Sequence, residues 1–194
     1  MRNVHVMCVV VLVLWFCCEA TQAAEVLKIK PESGSIEFVG SKDDGSHKGG
    51  FKKFSGTVEL VPDKLEMSQV TVEIETGSIW SDNPKLTAHL SNQDFFHIDK
   101  FPKSVFRSET LRIAKPADKK QPGAEKASHV LSGQLTLLGV SKTVELPVTI
   151  KVSDETFDIQ GKYILDRSRF GMTYAIPKVH KDAVVEFSLK LPRK

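Results

Sequence analysis

LSGQLTLLGVSKTVELPVTI, residues 131–150, is the stretch whose reading decides the fold. Its apolar residues recur at every second position, Leu131, Leu135 and Leu137 on the way in and Val144, Leu146, Val148 and Ile150 on the way out. That is the period of a half-buried strand, not of a helix. Between the two runs, residues 138–142 are short and contain Gly139, which tolerates positive φ, so the runs form an antiparallel hairpin. Ser132, Gln134, Thr136, Thr143, Glu145 and Thr149 make the opposite face polar. Such a ribbon has to set its greasy face against something.

The same alternation recurs on both sides. Upstream, Leu27 and Ile29 alternate with lysines, and Ile36 and Phe38 continue beyond a break at Pro31 and Gly34. Residues 41–50, SKDDGSHKGG, read as a polar, glycine-rich connection at a rim. Phe54, Val58 and Leu60 share a face, as do Val70, Val72 and Ile74. Residues 104–113 are strand-like with mixed parity. Downstream, Phe157, Ile159, Tyr163 and Leu165 alternate with polar residues, and Gly161 on their face marks a bend or a close backbone approach. Ala183, Val185, Phe187, Leu189 and Leu191 then form a last amphipathic strand able to pair with the first.

One helix interrupts this pattern. Ser81, Asp82 and Asn83 offer capping oxygens, Pro84 suits the first helical position, and Leu86 and Leu90 sit one turn apart. DFFHIDKFP after it carries Phe95, Phe96 and Phe101 without a clear period, which fits either a plug over one end of the sheet or a core-filling connection. Residues 115–128 are charged, lack large apolar side chains and read as a mobile surface loop. About eight strands, one short helix and no βαβ rhythm define an all-β, mainly antiparallel meander, closed as a barrel or stacked as a sandwich. Closure removes the exposed edges, and eight strands leave an interior just wide enough for side chains or one slim ligand.

Length and composition bound what this domain does. A chain of 194 residues suits one domain with a sizeable core. Its net charge of +3, from 27 basic and 24 acidic residues, is mild and scattered, which argues against nucleic acid. Residues 1–23 combine Arg2, an apolar run and a small-residue end at Thr21 and Ala23, the signature of a secretory signal; an uncleaved anchor is the competing reading, but the run falls short of the roughly 20 residues a span needs. Residues 24–194 then form an exported domain, periplasmic or secreted, with no membrane span of its own. All three cysteines, Cys8, Cys17 and Cys18, fall inside the signal, so the domain relies on its core and not on disulfides.

Three ordered pieces of the chain carry a likeness. NPKLTAHLSNQDFFHIDKFPKSVFRS, LSGQLTLLGVSKTVELPV and GKYILDRSRFGM resemble, in order and spacing, the helix-D-F-F segment, the G-x-L-T-x-x-G-V-x-K hairpin and the L-D-R-x-x-F-G segment of the YceI-like family. The resemblance implies an elongated, lipocalin-like barrel whose greasy pore holds a polyisoprenoid or another long-chain amphiphile in an exported setting. The chain departs from the commonest pattern at residues 45–51, in the Ser33-Gly34 pair and at His97, where many members carry an acidic residue. No head group carries over.

The residues expected to line the bore are Phe54, Val58, Val72, Ile74, Leu135, Leu137, Phe157, Ile159, Val185 and Phe187. If the bore is hollow, burial of two or three isoprene units at roughly 0.8 kcal/mol per methylene supplies about 8 to 12 kcal/mol before association costs. The bland alternative is that the same side chains meet in the middle. Arg167, and more weakly Arg169, are rim candidates for a phosphate or quinone oxygen; the competing role for Arg167 is an ion pair with Asp94 or Asp99. His47, His89, His97, His129 and His180 match no metal spacing, and no G-x-S-x-G or mature cysteine offers a nucleophile. The expectation is therefore a non-enzymatic lipid binder without metal or cofactor. An interaction module using the outer surface or residues 115–128, and an isoprenoid-modifying enzyme, are the alternatives.

Overall fold

The computed structural model describes residues 24–193. The secretory signal expected over residues 1–23, with its three cysteines, lies outside the described residues. Eleven strand segments form one antiparallel sheet: β1 (Glu25–Ile29), β2 (Gly34–Lys42), β3 (Gly45–Phe51), β4 (Phe54–Leu60), β5 (Gln69–Glu75), β6 (Ile79–Ser81), β7 (Lys103–Ile113), β8 (His129–Leu137), β9 (Val140–Val152), β10 (Thr156–Asp166) and β11 (Val179–Pro192). The helix α1 (Pro84–Leu90) follows β6, and the Asn83 side chain accepts from the amides of Lys85 and Leu86 as the capping signal predicts. The neighbour order is β1-β4-β5-β7-β8-β9-β10-β11-β2-β3-β6.

Eleven segments and the expected eight strands describe the same ring. β1 and β2 are two halves of one run interrupted at residues 30–33, where Pro31 has no amide to donate. β3 and β4 are interrupted at residues 52–53, and β5 and β6 at residues 76–78. Matching halves pair, β1 with β4 and β2 with β3, then β4 with β5 and β3 with β6. Three broken runs and the five unbroken ones, β7 to β11, make eight. The break between β3 and β4 leaves no amide orphaned: the Lys52 amide donates to the Ser78 carbonyl, and the Lys53 amide to Ser78 Oγ at 3.0 Å. The last run returns to the first through β11 and β2, with Phe187 opposite Ile36, so the barrel closes as the final strand's alternation predicts.

The hairpin of residues 131–150 pairs Leu137 with Val140 across a two-residue turn, and Leu138 and Gly139 both have positive φ. The turn is tighter than the five-residue connection expected. Residues 41–50 are not a rim connection: Asp43 and Asp44 alone turn the chain, and β3 carries buried Gly49 and Gly50 beneath the rings of Phe38 and Trp80. Large neighbours supply the apolar cover that the glycines lack, so composition hides the strand. Residues 115–128 lie on the outside of the sheet with Ala124 and Ala127 buried, and their two ends are tied by the Arg112–Asp118 pair and by Thr149 Oγ1 donating to the Lys126 carbonyl.

Candidate functional site

The alternating faces put apolar side chains inside the barrel, and the two ends of that interior differ. At the β1 end the side chains meet: Leu27, Ile29, Val58, Leu60, Val148, Phe157 and Leu191 belong to one core and are between 0% and 6% exposed. From the level of Val70, Leu131, Ile159 and Leu189 upward, the walls part around a cavity of about 430 Å³. This falls within the size range of small-molecule sites. Its mouth lies between the β2–β3 tip, the α1 segment and the loop of residues 171–178, which contribute Lys42 and His47, His89, and Met172 and Tyr174 to the lining.

Of the ten side chains expected to line the bore, Val72, Ile74, Leu135, Leu137, Ile159, Val185 and Phe187 do so. Phe54, Val58 and Phe157 do not: all three are buried in the core, Val58 and Phe157 in its packed β1 end and Phe54 beside Ile74. Alternation identifies an inward face but not the height at which a barrel stops being full. Phe95 and Phe96 of the expected plug line the cavity together with Leu86 and Leu90, so α1 and the turn after it wall its upper part. Phe101 does not; it packs over the β8–β9 turn, 2.9 Å from the position of a Cβ on Gly139.

Arg167 is buried at 5% exposure in the cavity wall, with its guanidinium 5.8 Å from the Phe95 ring centroid. Neither Asp94 nor Asp99 is its partner. Its Nε donates to the carbonyl of His180 at 3.0 Å, Nη1 to Met172 at 2.7 Å, and Nη2 to Tyr174 at 2.9 Å and Val179 at 2.8 Å. Four of its five N–H groups therefore hold the loop of residues 171–178 onto the start of β11. Burial pulls its pKa below the ordinary arginine value, with Asp166 opposing that pull. Arg169 is exposed and outside the lining, because the short 3₁₀ turn of residues 167–170 buries Arg167 and Phe170 and leaves Arg169 in solvent.

Polar groups gather at the mouth. His47, His89 and His180 all line the cavity, and each stands beside its own carboxylate: His47 Nδ1 is 2.8 Å from Asp82, His89 Nε2 is 3.0 Å from Asp94, and His180 Nε2 is 3.3 Å from Asp43. The His89 ring also meets Phe95 and Tyr174 edge-on. The Lys48 amide and His47 together hold the Asp82 carboxyl below its ordinary pKa. Tyr163, in the wall, has its phenol pushed up by burial. Ser104 is a buried polar residue of the wall beside Ile74, and its hydroxyl donates to the Thr136 carbonyl at 2.8 Å. Among the described residues no group of three His, Cys, Asp or Glu side chains is close enough to hold a metal ion. Sequence reasoning missed the histidine grouping because these residues come from three distant segments with no shared spacing.

A closed antiparallel meander around a mainly apolar, one-ended cavity, with its histidines and acidic partners gathered at the mouth, defines a lipocalin-like barrel. The YceI-like domain profile matches residues 27–191, and the chain belongs to the YceI-like family. A UPF0312 protein of Pseudomonas putida is 33% identical over 114 residues, covering 59% of this chain and 50% of the relative. The chain thus spans about half the length of the curated relatives it matches. Among solved structures, BcnA of Burkholderia cenocepacia aligns with a TM-score of 0.72 at 21% identity, over 82% of this chain and 97% of that one. A polyisoprenoid-binding domain from Saccharophagus degradans, implicated in plant cell wall breakdown, aligns with a TM-score of 0.63 at 14% identity, over 89% and 100%. At these identities the likeness establishes the fold.

Proposed function

We propose that the protein binds a long-chain amphiphile, of polyisoprenoid, isoprenoid-quinone or fatty-acid type, with its tail in the barrel, and that it carries or stores this lipid without chemically altering it. The observation behind the reading is the cavity itself: about 430 Å³ walled by Val72, Ile74, Leu135, Leu137, Ile159 and Val185, above a core that is fully packed. Side chains that leave this volume unfilled forgo the burial of their apolar surface. A hydrocarbon tail recovers it. The polyisoprenoid-binding neighbour from Saccharophagus degradans supports the ligand class. The reading includes export to a periplasmic or secreted setting, supported by the signal-like composition of residues 1–23.

Native mass spectrometry on protein purified without detergent tests this. Added mass that organic extraction removes and identifies as a long-chain lipid is the expected result. Repeated absence of that mass, with no uptake of added polyprenol, overturns the proposal.

A further inference from the structure

The cavity mouth carries an apolar projection that lining a pocket does not require. Residues 173–178, TYAIPK, are all exposed, with Tyr174 at 42% and Ile176 at 38%, whereas Met172 just before them is buried. An exposed loop of this composition normally pays for its shape with disorder, but here the four Arg167 hydrogen bonds fix its base. Within the loop, Ala175 at φ 54° turns the chain, and the Val179 amide donates to the Ala175 carbonyl at 2.9 Å, which closes a turn that contains Ile176. Tyr174 belongs both to this surface and to the cavity, where its ring meets His89 and Phe95. The projection is therefore continuous with the mouth.

Charge accompanies it. Arg169 and Lys178 flank the loop, both exposed and, among the described residues, neither in an ion pair. The nearby carboxylates are occupied: Asp43 stands beside His180, Asp44 beside Lys42, and Asp166 and Asp182 share Lys181. An exposed aliphatic residue in a turn tied at its base, with an exposed aromatic two residues away and unpaired cations before it and at its end, is the chemistry of a bilayer interface, where apolar side chains enter the headgroup boundary and cations meet anionic lipid.

We infer that the loop of residues 171–178 docks the cavity mouth onto an anionic lipid bilayer, with Ile176 inserted and Arg169 and Lys178 on the lipid phosphates. This rests on the lipid-binding reading for its purpose, since docking there delivers the mouth to a membrane-borne cargo, but its test reads the membrane directly. The protein should cosediment with vesicles of phosphatidylcholine and phosphatidylglycerol in equal parts. Ile176→Asp should lower the apparent partition coefficient about tenfold, and Arg169→Glu and Lys178→Glu should each lower it at least fivefold, the worth of about one surface cation. In Ile176→Trp, brominated lipid should quench the emission added by the substitution, a position-specific readout independent of the N-terminal segment. Equal sedimentation of all variants, or no quenching in Ile176→Trp, overturns the inference. Native mass spectrometry on the same samples separates the two claims: cargo retained without docking removes the membrane surface, and docking retained without cargo removes the cavity reading.

Discussion

The Phe187 ring occupies the space beside Gly161 in which any other residue would carry its side chain: Cζ lies 2.6 Å from the position of a Cβ there, and the Pro147 carbonyl oxygen is 2.9 Å away on another side. The two residues are register partners on β10 and β11, and Phe187 lines the cavity. Gly161 thus sets how far Phe187 stands out of the bore. Gly161→Ala should drive the ring inward, destabilise the fold by about 1–3 kcal/mol through overpacking, and lower the lipid-to-protein ratio. Chemical denaturation and extracted-lipid stoichiometry measure both, and no change in either would mean that the ring is free to move elsewhere.

Height along the barrel decides what a buried charge does. Val58→Arg places a guanidinium among fully packed side chains, at a cost of several kcal/mol against a typical stability of 5–15, so soluble yield should collapse. Val72→Arg and Leu135→Arg point into the cavity, where the long side chain has room to reach toward the mouth. Those variants should fold and lose their lipid. Soluble yield and bound lipid, measured side by side, distinguish the two levels.

Arg167 is tested by its closest replacement. Arg167→Lys keeps the charge but cannot reach four carbonyls in two directions. Loss of two or three charge-assisted hydrogen bonds at a buried position should cost at least about 3 kcal/mol, and hydrogen exchange should accelerate in residues 172–180 before it does in β8 or β9. Uniform exchange across the barrel would show that the loop does not depend on this residue.

Two groups give pH-dependent stability in opposite parts of the acid range. Burial lowers the His129 pKa below 6.5, with a smaller opposing pull from Glu66. The unfolded chain therefore takes up a proton that the folded one resists, and stability is lost as pH falls from 6.5 toward the folded value. His129→Gln should flatten that part of the profile. Glu25 is held below its ordinary 4.5 by hydrogen bonding and charge from Arg193, against a smaller burial penalty. Its contribution is present above 4.5 and disappears as pH falls through the lowered value, and Glu25→Gln should remove that step. Thermal unfolding across pH checks both signs.

Alternation makes most of this barrel readable in the sequence. It supplied the eight runs, the 131–150 hairpin, the capped helix and the return of the last strand to the first. It failed where a strand breaks its own rule. In β7 the register shifts between Ser108 and Thr110, so inward positions pass from Ser104 and Phe106 to Leu111, and no single parity describes the strand. In β3 two glycines stand where large residues usually reveal a face. The site was legible as a set of inward residues, but its floor was not, because Val58 and Val72 look alike in sequence and only the convergence of opposite walls tells them apart. Arg167 is legible as a rim arginine; its burial and its partners are not, since backbone carbonyls leave no residue-type signature.

The packed floor below Ile159 and Leu189 makes the barrel a cup, not a conduit. On the proposed lipid-binding reading, whatever goes in at the rim by Tyr174 comes out past the same rim, tail last, so any donor and any acceptor would take turns at one doorway. A hand-off between them is then a matter of two successive visits and never of threading through.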